Sequence, residues 1–182
     1  MHRLFVAVDL PDAVKSSLLE LCAGVPGAKW RTFDQFHVTL RFIGEVDGGM
    51  ARDIDEALTH VEAPAFDVSL RGIGHFGDNR RPRVIWAGVD DPEPLKHLHD
   101  RIERAMTSIG LEPEGRKYRP HVTLARLGGT RMHHISEFEA CYGDFRSPPF
   151  HIDRFVLYSS FLSSERAIYT AEAEYALNAV TV

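Results

Sequence analysis

Four residues of this chain occur twice in the same order. His37-Val38-Thr39-Leu40 returns as His121-Val122-Thr123-Leu124, 84 residues later (121 − 37), in a chain of 182 residues. In an extended strand, residues two apart point to the same face. His37 and Thr39 therefore share one face and His121 and Thr123 share another, while Val38, Leu40, Val122 and Leu124 turn toward a core. Two such strands brought together would surround a central volume with two imidazoles and two hydroxyls. That set suits the opening of a cyclic phosphodiester. One imidazole can take a proton from water while the other, charged, gives a proton to the departing oxygen. The hydroxyls can donate to non-bridging phosphate oxygens, where charge must be held in the transition state. General acid–base catalysis contributes about 10²–10⁴-fold, so hydroxyl and cationic contacts must contribute as well.

The flanking sequence predicts the elements that would hold these groups. Strands are expected over 3–8, 37–43, 66–73, 83–89, 120–126, 150–160 and 166–175, where β-branched and aromatic residues alternate with polar ones. Helical spacing of Val14, Leu18 and Leu21 after Pro11 predicts a first helix. Ile54, Ala57, Leu58 and Val61 mark a second over 50–62. Leu95, Leu98, Ile102, Ala105 and Met106 mark a third from Pro94 to Ile109, with Gly110 placed to end it. A short helix is expected over 131–141. Closely spaced strands favour antiparallel pairing, so the expected class is α+β. One copy of the motif in each half predicts two pseudo-symmetric lobes of a duplicated βαβ type, forming a single bilobal domain over 1–182 with a central cleft.

Composition narrows the alternatives. A hydrophobic content of 44% and a charged content of 26% are those of an ordinary globular domain. The opening Leu4–Val8 run meets Asp9 and Pro11 too early for a signal-peptide core, and no apolar run is long enough to span a membrane. A cytoplasmic monomer is the expectation. Cys22 and Cys141 are too few for a disulfide framework or a zinc site. The net charge of −5 excludes a globally basic nucleic-acid binder, so any RNA contact must be local, in a cleft where a few arginines prevail.

In its extended context the chain resembles the bacterial and archaeal RNA 2′,3′-cyclic phosphodiesterases, also called 2′-5′ RNA ligase-like proteins, within the two-histidine phosphoesterases. The resemblance rests on the stretch from Arg3 to Pro11, on Trp30, on Phe36 to Val46, on Arg81 to Trp86, on Tyr118 to Arg126 and on Phe155 to Ser160. It implies hydrolysis of a terminal 2′,3′-cyclic phosphate on RNA to a 2′-phosphomonoester, without metal or cofactor. His37 would be the proton donor to the leaving 3′ oxygen and His121 the proton acceptor from water. Thr39 and Thr123 would hold phosphate oxygens. ATP-independent joining of RNA ends through a 2′-5′ linkage would draw on the same groups.

Supporting residues are read from strand alternation. Arg41, two beyond Thr39, is expected on the catalytic face, where it could offset phosphate charge. Arg126 falls on the core face by strict alternation, so a phosphate role requires a bulge near Ala125 or a turn to the cleft rim. Lys117 and Arg119 are candidate RNA-backbone contacts. Phe33, Phe36, Phe76 and Tyr158 are candidate base-stacking groups, while Trp86 is expected in the core. The other eight histidines lack metal-ligand spacing and read as structural or surface groups. Two other functions fit the same residues less well: a noncatalytic nucleotide- or RNA-binding module, which needs no matched acid and base, and a metal-dependent hydrolase. Either an RNA end or a small cyclic nucleotide fits as the substrate.

Overall fold

β1 (His2–Asp9) leads through α1 (Asp12–Glu20), the three-residue β2 (Ala28–Trp30) and a short 3-10 turn (Phe33–Gln35) into β3 (His37–Val46). α2 (Gly48–Thr59), β4 (Phe66–Val68) and β5 (Leu70–Asp78) follow. β6 (Arg81–Val89), α3 (Glu93–Ser108), β7 (His121–Leu127), α4 (Met132–Tyr142), β8 (Phe150–Ile152) and β9 (Arg154–Leu162) repeat that order without a counterpart of β2 or the 3-10 turn, and β10 (Ala167–Ala176) follows. The computed structural model describes residues 1–179.

The duplication runs well beyond the four-residue motif. The starts of β7, α4, β8 and β9 each lie 84 residues after those of β3, α2, β4 and β5. The main sheet has the order β10-β9-β1-β3-β7-β6-β5, with β2 alongside β7, and its pairings are antiparallel. β5 of the first repeat pairs with β6 of the second, and β9 of the second pairs with β1 of the first. Each lobe therefore takes its outer strand from the other repeat, so the lobes are not the two halves of the chain. Hydrophobic periodicity reports which face of a strand is buried and says nothing of which strand it pairs with, so this exchange is not readable from the sequence.

The strands expected over 66–73 and 150–160 each divide in two. β4 and β8 leave the main sheet and pair with each other, Phe66 opposite Ile152. The breaks at Ser69 and Asp153 are held by Asp90 N–H donating to the Ser69 carbonyl and Leu177 N–H donating to the Asp153 carbonyl. β2 has no counterpart among the expected strands, because three residues are too short for an alternation to register.

The helices cover one face of the sheet. α3 packs on β3, α2 on α3 and β10, and α4 on β5 and β6. α3 forms where expected because Leu95, Leu98, Ile102 and Met106 make one apolar stripe, and all four are buried. Gly110, at φ 93°, ends it, with Leu111 N–H donating back to the Met106 carbonyl. Asp47 caps α2 by accepting from Met50 N–H at 2.8 Å. Val38, Leu40, Val122 and Leu124 enter this core from the motif strands. Burying one such side chain stabilises by about 1.5–3 kcal/mol, so the motif strands are fixed from behind by their own apolar residues.

Candidate active site

β3 and β7 are paired through a single bridge, Val38 opposite Val122. In an antiparallel pair, extending this register by one residue each way sets His37 opposite Thr123 and Thr39 opposite His121. The two motifs are thus related by a local two-fold at the seam between the lobes. All four polar side chains line one cleft of about 420 Å³ on the face opposite the helices.

Each imidazole is oriented by its own strand. His37 Nδ1 lies 2.8 Å from the Gln35 carbonyl and His121 Nδ1 lies 2.7 Å from the Arg119 carbonyl. A carbonyl only accepts, so the proton sits on Nδ1 and Nε2 is the unprotonated, basic nitrogen in both rings. The Thr39 hydroxyl lies 3.0 Å from His37 Nε2 and donates to it. Gln35 is itself fixed, accepting from Thr32 N–H and donating to the Ala167 carbonyl at the base of β10.

Both rings are held neutral. His37 sits among Phe5 (ring centres 4.9 Å apart), Tyr169 (5.4 Å) and Tyr158 (6.3 Å). Loss of hydration there is the main cause that lowers its pKa to about 4. The Gln35 carbonyl and Asp9 oppose that shift, while Arg31 and His121 add to it. His121, against the edge of Phe76 at 4.8 Å, is also lowered by burial, and the Arg119 carbonyl opposes that.

Cations prevail in the cleft despite the net charge of −5: among the described residues Arg3, Lys29, Arg31, Arg126 and Arg166 line it, against the carboxylate of Glu165. Lys29 and Trp30 come from β2 and Arg31 from the residue after it, an element whose shortness hides it from the sequence. The pKa of Arg31 is lowered chiefly by burial, raised by Tyr169 and lowered by Arg126, which places these groups within electrostatic reach of one another. No group of three or more His, Cys, Asp or Glu side chains converges to hold a metal ion among the described residues.

A repeated bulge sorts the arginines. The β1–β3 register pairs Ala7 with Thr39 and Val6 with Arg41, leaving Leu40 without a partner. The β6–β7 register pairs Trp86 with Thr123 and Ile85 with Ala125, leaving Leu124 without one in β6. The extra residue inverts the faces beyond it. Arg126 consequently lines the cleft, as the bulge alternative required. Arg41 does not. It turns to the helical face, only 7% exposed, and pairs with Glu103 at 3.3 Å and Glu114 at 3.6 Å. The expectation that Arg41 meets phosphate is corrected, and Phe42 takes the cleft position instead.

The stacking candidates also change. Phe36 is buried in the core, Phe33 lies under Lys15 Nζ, Phe76 supports His121 and Tyr158 stacks on Phe5. The aromatic groups that line the cleft are Phe5, Trp30, Phe42 and Tyr169. Trp86, expected in the core, is half-buried. Lys117 and Arg119 are exposed on the segment before His121 and do not line the cleft.

Residues 10–160 match the 2′-5′ RNA ligase superfamily. The chain belongs to this family. An RNA 2′,3′-cyclic phosphodiesterase of Thermotoga maritima is 31% identical over 175 residues, spanning 92% of this chain and 91% of that protein. Another, from Aeropyrum pernix, is 46% identical over 99 residues, which is 54% of this chain and 56% of that one. A solved structure from Thermus thermophilus superimposes with a TM-score of 0.80 at 25% identity, covering 98% of this chain and 100% of that one. Membership in the 2′-5′ RNA ligase superfamily agrees with the resemblance read from the sequence, and the superposition agrees with the α+β fold.

Proposed function

We propose that the chain hydrolyses the terminal 2′,3′-cyclic phosphate of RNA to a 2′-phosphomonoester, acting as a single bilobal monomer in the cytoplasm without a metal ion. The observation that carries this reading is the pair of strand-anchored imidazoles, each with an unprotonated Nε2, facing one cationic cleft from opposite sides of a local two-fold. His121 Nε2 takes a proton from water as the water oxygen attacks phosphorus. The bond from phosphorus to the 3′ oxygen breaks, and that oxygen takes the proton carried by His37 Nε2. The phosphate remains on the 2′ oxygen, and the two histidines exchange protons with solvent to reset.

In the free protein His37 is neutral at pH 7, so its acid form must be favoured by the bound phosphate. A negative charge beside the imidazolium does this. Thr39 and Thr123 donate to the non-bridging oxygens, and Arg126 and Arg31 offset the charge that collects there. The names of the Thermotoga and Aeropyrum relatives support the substrate class. Taking the same steps with a 5′-hydroxyl of a second RNA in place of water as the nucleophile, the bond from phosphorus to the 3′ oxygen breaking as before, would join ends through a 2′-5′ linkage without ATP.

The test is product identification. A short RNA ending in a 2′,3′-cyclic phosphate, incubated with the protein and a chelator, should yield a 2′-phosphate end. A 3′-phosphate product would overturn the assigned polarity. Tight binding without turnover would favour a noncatalytic RNA-binding module, and turnover abolished by the chelator would favour a metal-dependent hydrolase.

A further inference from the structure

We infer that Tyr118 and His99 are positioning residues that hold the bulge of β3, and through it Thr39 and His37, in working register. This rests on the proposed hydrolysis for its kinetic consequences, though the geometry stands without it.

The cleft exists because β3 and β7 separate after one pair, Val38 with Val122. That separation and the bulge together leave Leu40 without a strand partner on either side. A buried backbone carbonyl with no donor costs about as much as a lost hydrogen bond, so the position needs a substitute. On β7, the matching Leu124 carbonyl receives the Arg31 N–H at 2.8 Å, supplied by the backbone just beyond β2. β3 has no such added strand among the described residues. There, the Leu40 carbonyl lies 2.8 Å from His99 Nδ1 of α3, and the neighbouring Thr39 carbonyl accepts from the Tyr118 hydroxyl at 2.9 Å.

The two donors form one unit. The His99 and Tyr118 rings stack with centres 4.0 Å apart and planes within 3°. Arg41, on the residue after the bulge, reaches the Glu112 carbonyl as well as Glu103 and Glu114, tying the 112–118 segment to the same strand. Side chains on one strand thus do what β2 does on the other. Tyr118 is also three residues before His121, so the clamp joins β3 to the segment that leads into the second motif. Near-ångström placement decides rate in such sites, where a small displacement can cost about 10²-fold.

The test is Tyr118→Phe, which keeps the ring and its stack and removes only the hydroxyl. We expect kcat on a cyclic-phosphate RNA to fall about 10- to 100-fold with KM within about twofold, because Thr39 and His37 are misplaced in the transition state. In a Thr39→Ala background the same substitution should cost less than in wild type, with only the displacement of His37 left to act, whereas with Thr123→Ala the losses should multiply. His99→Leu should lower kcat in the same way, and His99→Asn, which restores an N–H donor, should recover most of it. Losses that multiply equally with both threonine variants would overturn the inference, as would unchanged kcat. Should wild type show no turnover, the proposed hydrolysis fails, and NMR of the imidazoles still decides the clamp. Tyr118→Phe should then shift the His37 Nε2 resonance and leave that of His121 in place. Equal shifts of both, or of neither, would contradict it.

Discussion

Leu40 and Leu124 occupy equivalent bulges 84 residues apart, and each inverts the strand faces beyond its own His-x-Thr motif. The consequence differs between copies because the residues that follow differ. After Leu40 come a buried arginine and an exposed phenylalanine; after Leu124 come a buried alanine and an exposed arginine. The repeat is symmetric in backbone and asymmetric in charge, which gives the two histidines different surroundings.

Arg41 and Arg126 should therefore fail differently. Arg41→Met leaves Glu103 without its partner on the helical side and should lower unfolding free energy by about 3 kcal/mol, read by denaturant titration. Arg126→Ala should change stability by less than about 0.5 kcal/mol and raise KM for a cyclic-phosphate substrate about tenfold. Equal stability losses in both variants would contradict the face assignment.

The pH dependence of kcat/KM reports ionisations of the free protein. With His37 lowered to about 4 and His121 also below its ordinary value, the competent form has His37 charged and His121 neutral. That form is richest between the two pKa values, so kcat/KM should peak on the acid side of pH 6.5. The profile of kcat should lie at higher pH, since bound phosphate favours the charged His37. A kcat/KM that climbs through pH 7 would contradict this assignment.

The same ionisation links to stability. The folded pKa of His37, about 4, lies below the ordinary 6.5, so between these values the unfolded chain binds more protons. Stability from this group is fully present above pH 6.5 and is lost as pH falls toward 4, by at most on the order of 3 kcal/mol. His37→Asn should flatten the rise of unfolding free energy between pH 4 and 6.5. An unchanged slope would show that the ring is better hydrated than its aromatic surroundings imply.

Gly74 sits where no side chain fits. A Cβ there would overlap Cζ2 of Trp86, which packs on Phe76, which in turn meets the His121 ring edge-on. Gly74→Ala should displace this stack, costing about 1–3 kcal/mol of stability. It should also lower kcat at temperatures where the variant is fully folded. Full activity in the folded variant would show that Phe76 does not orient His121.

Much of this is legible in the sequence. The duplicated motif names His37, Thr39, His121 and Thr123, and alternation places each pair on one face. The stripe Leu95, Leu98, Ile102 and Met106 locates α3. What alternation cannot supply is the break in alternation: Leu40 carries no local mark of a bulge, so Arg41 falls on the wrong face. Arg126 signals the matching bulge only because a buried arginine is costly. Arg31 and Lys29 escape notice because β2 is defined by its pairing with β7, not by a pattern of its own. Phe5, Tyr169 and Arg166 reach the cleft through long-range pairing of β1, β9 and β10, which no local window contains.

The most direct test of the account is the turnover of RNA 2′,3′-cyclic phosphate by His37→Ala and His121→Ala beside the wild type, with binding of the same RNA measured in parallel. Each variant should lose about 10²–10⁴-fold in kcat while binding the RNA nearly as tightly, since each removes one proton transfer and leaves the cationic cleft intact. Substantial turnover by either variant would contradict the two-histidine mechanism.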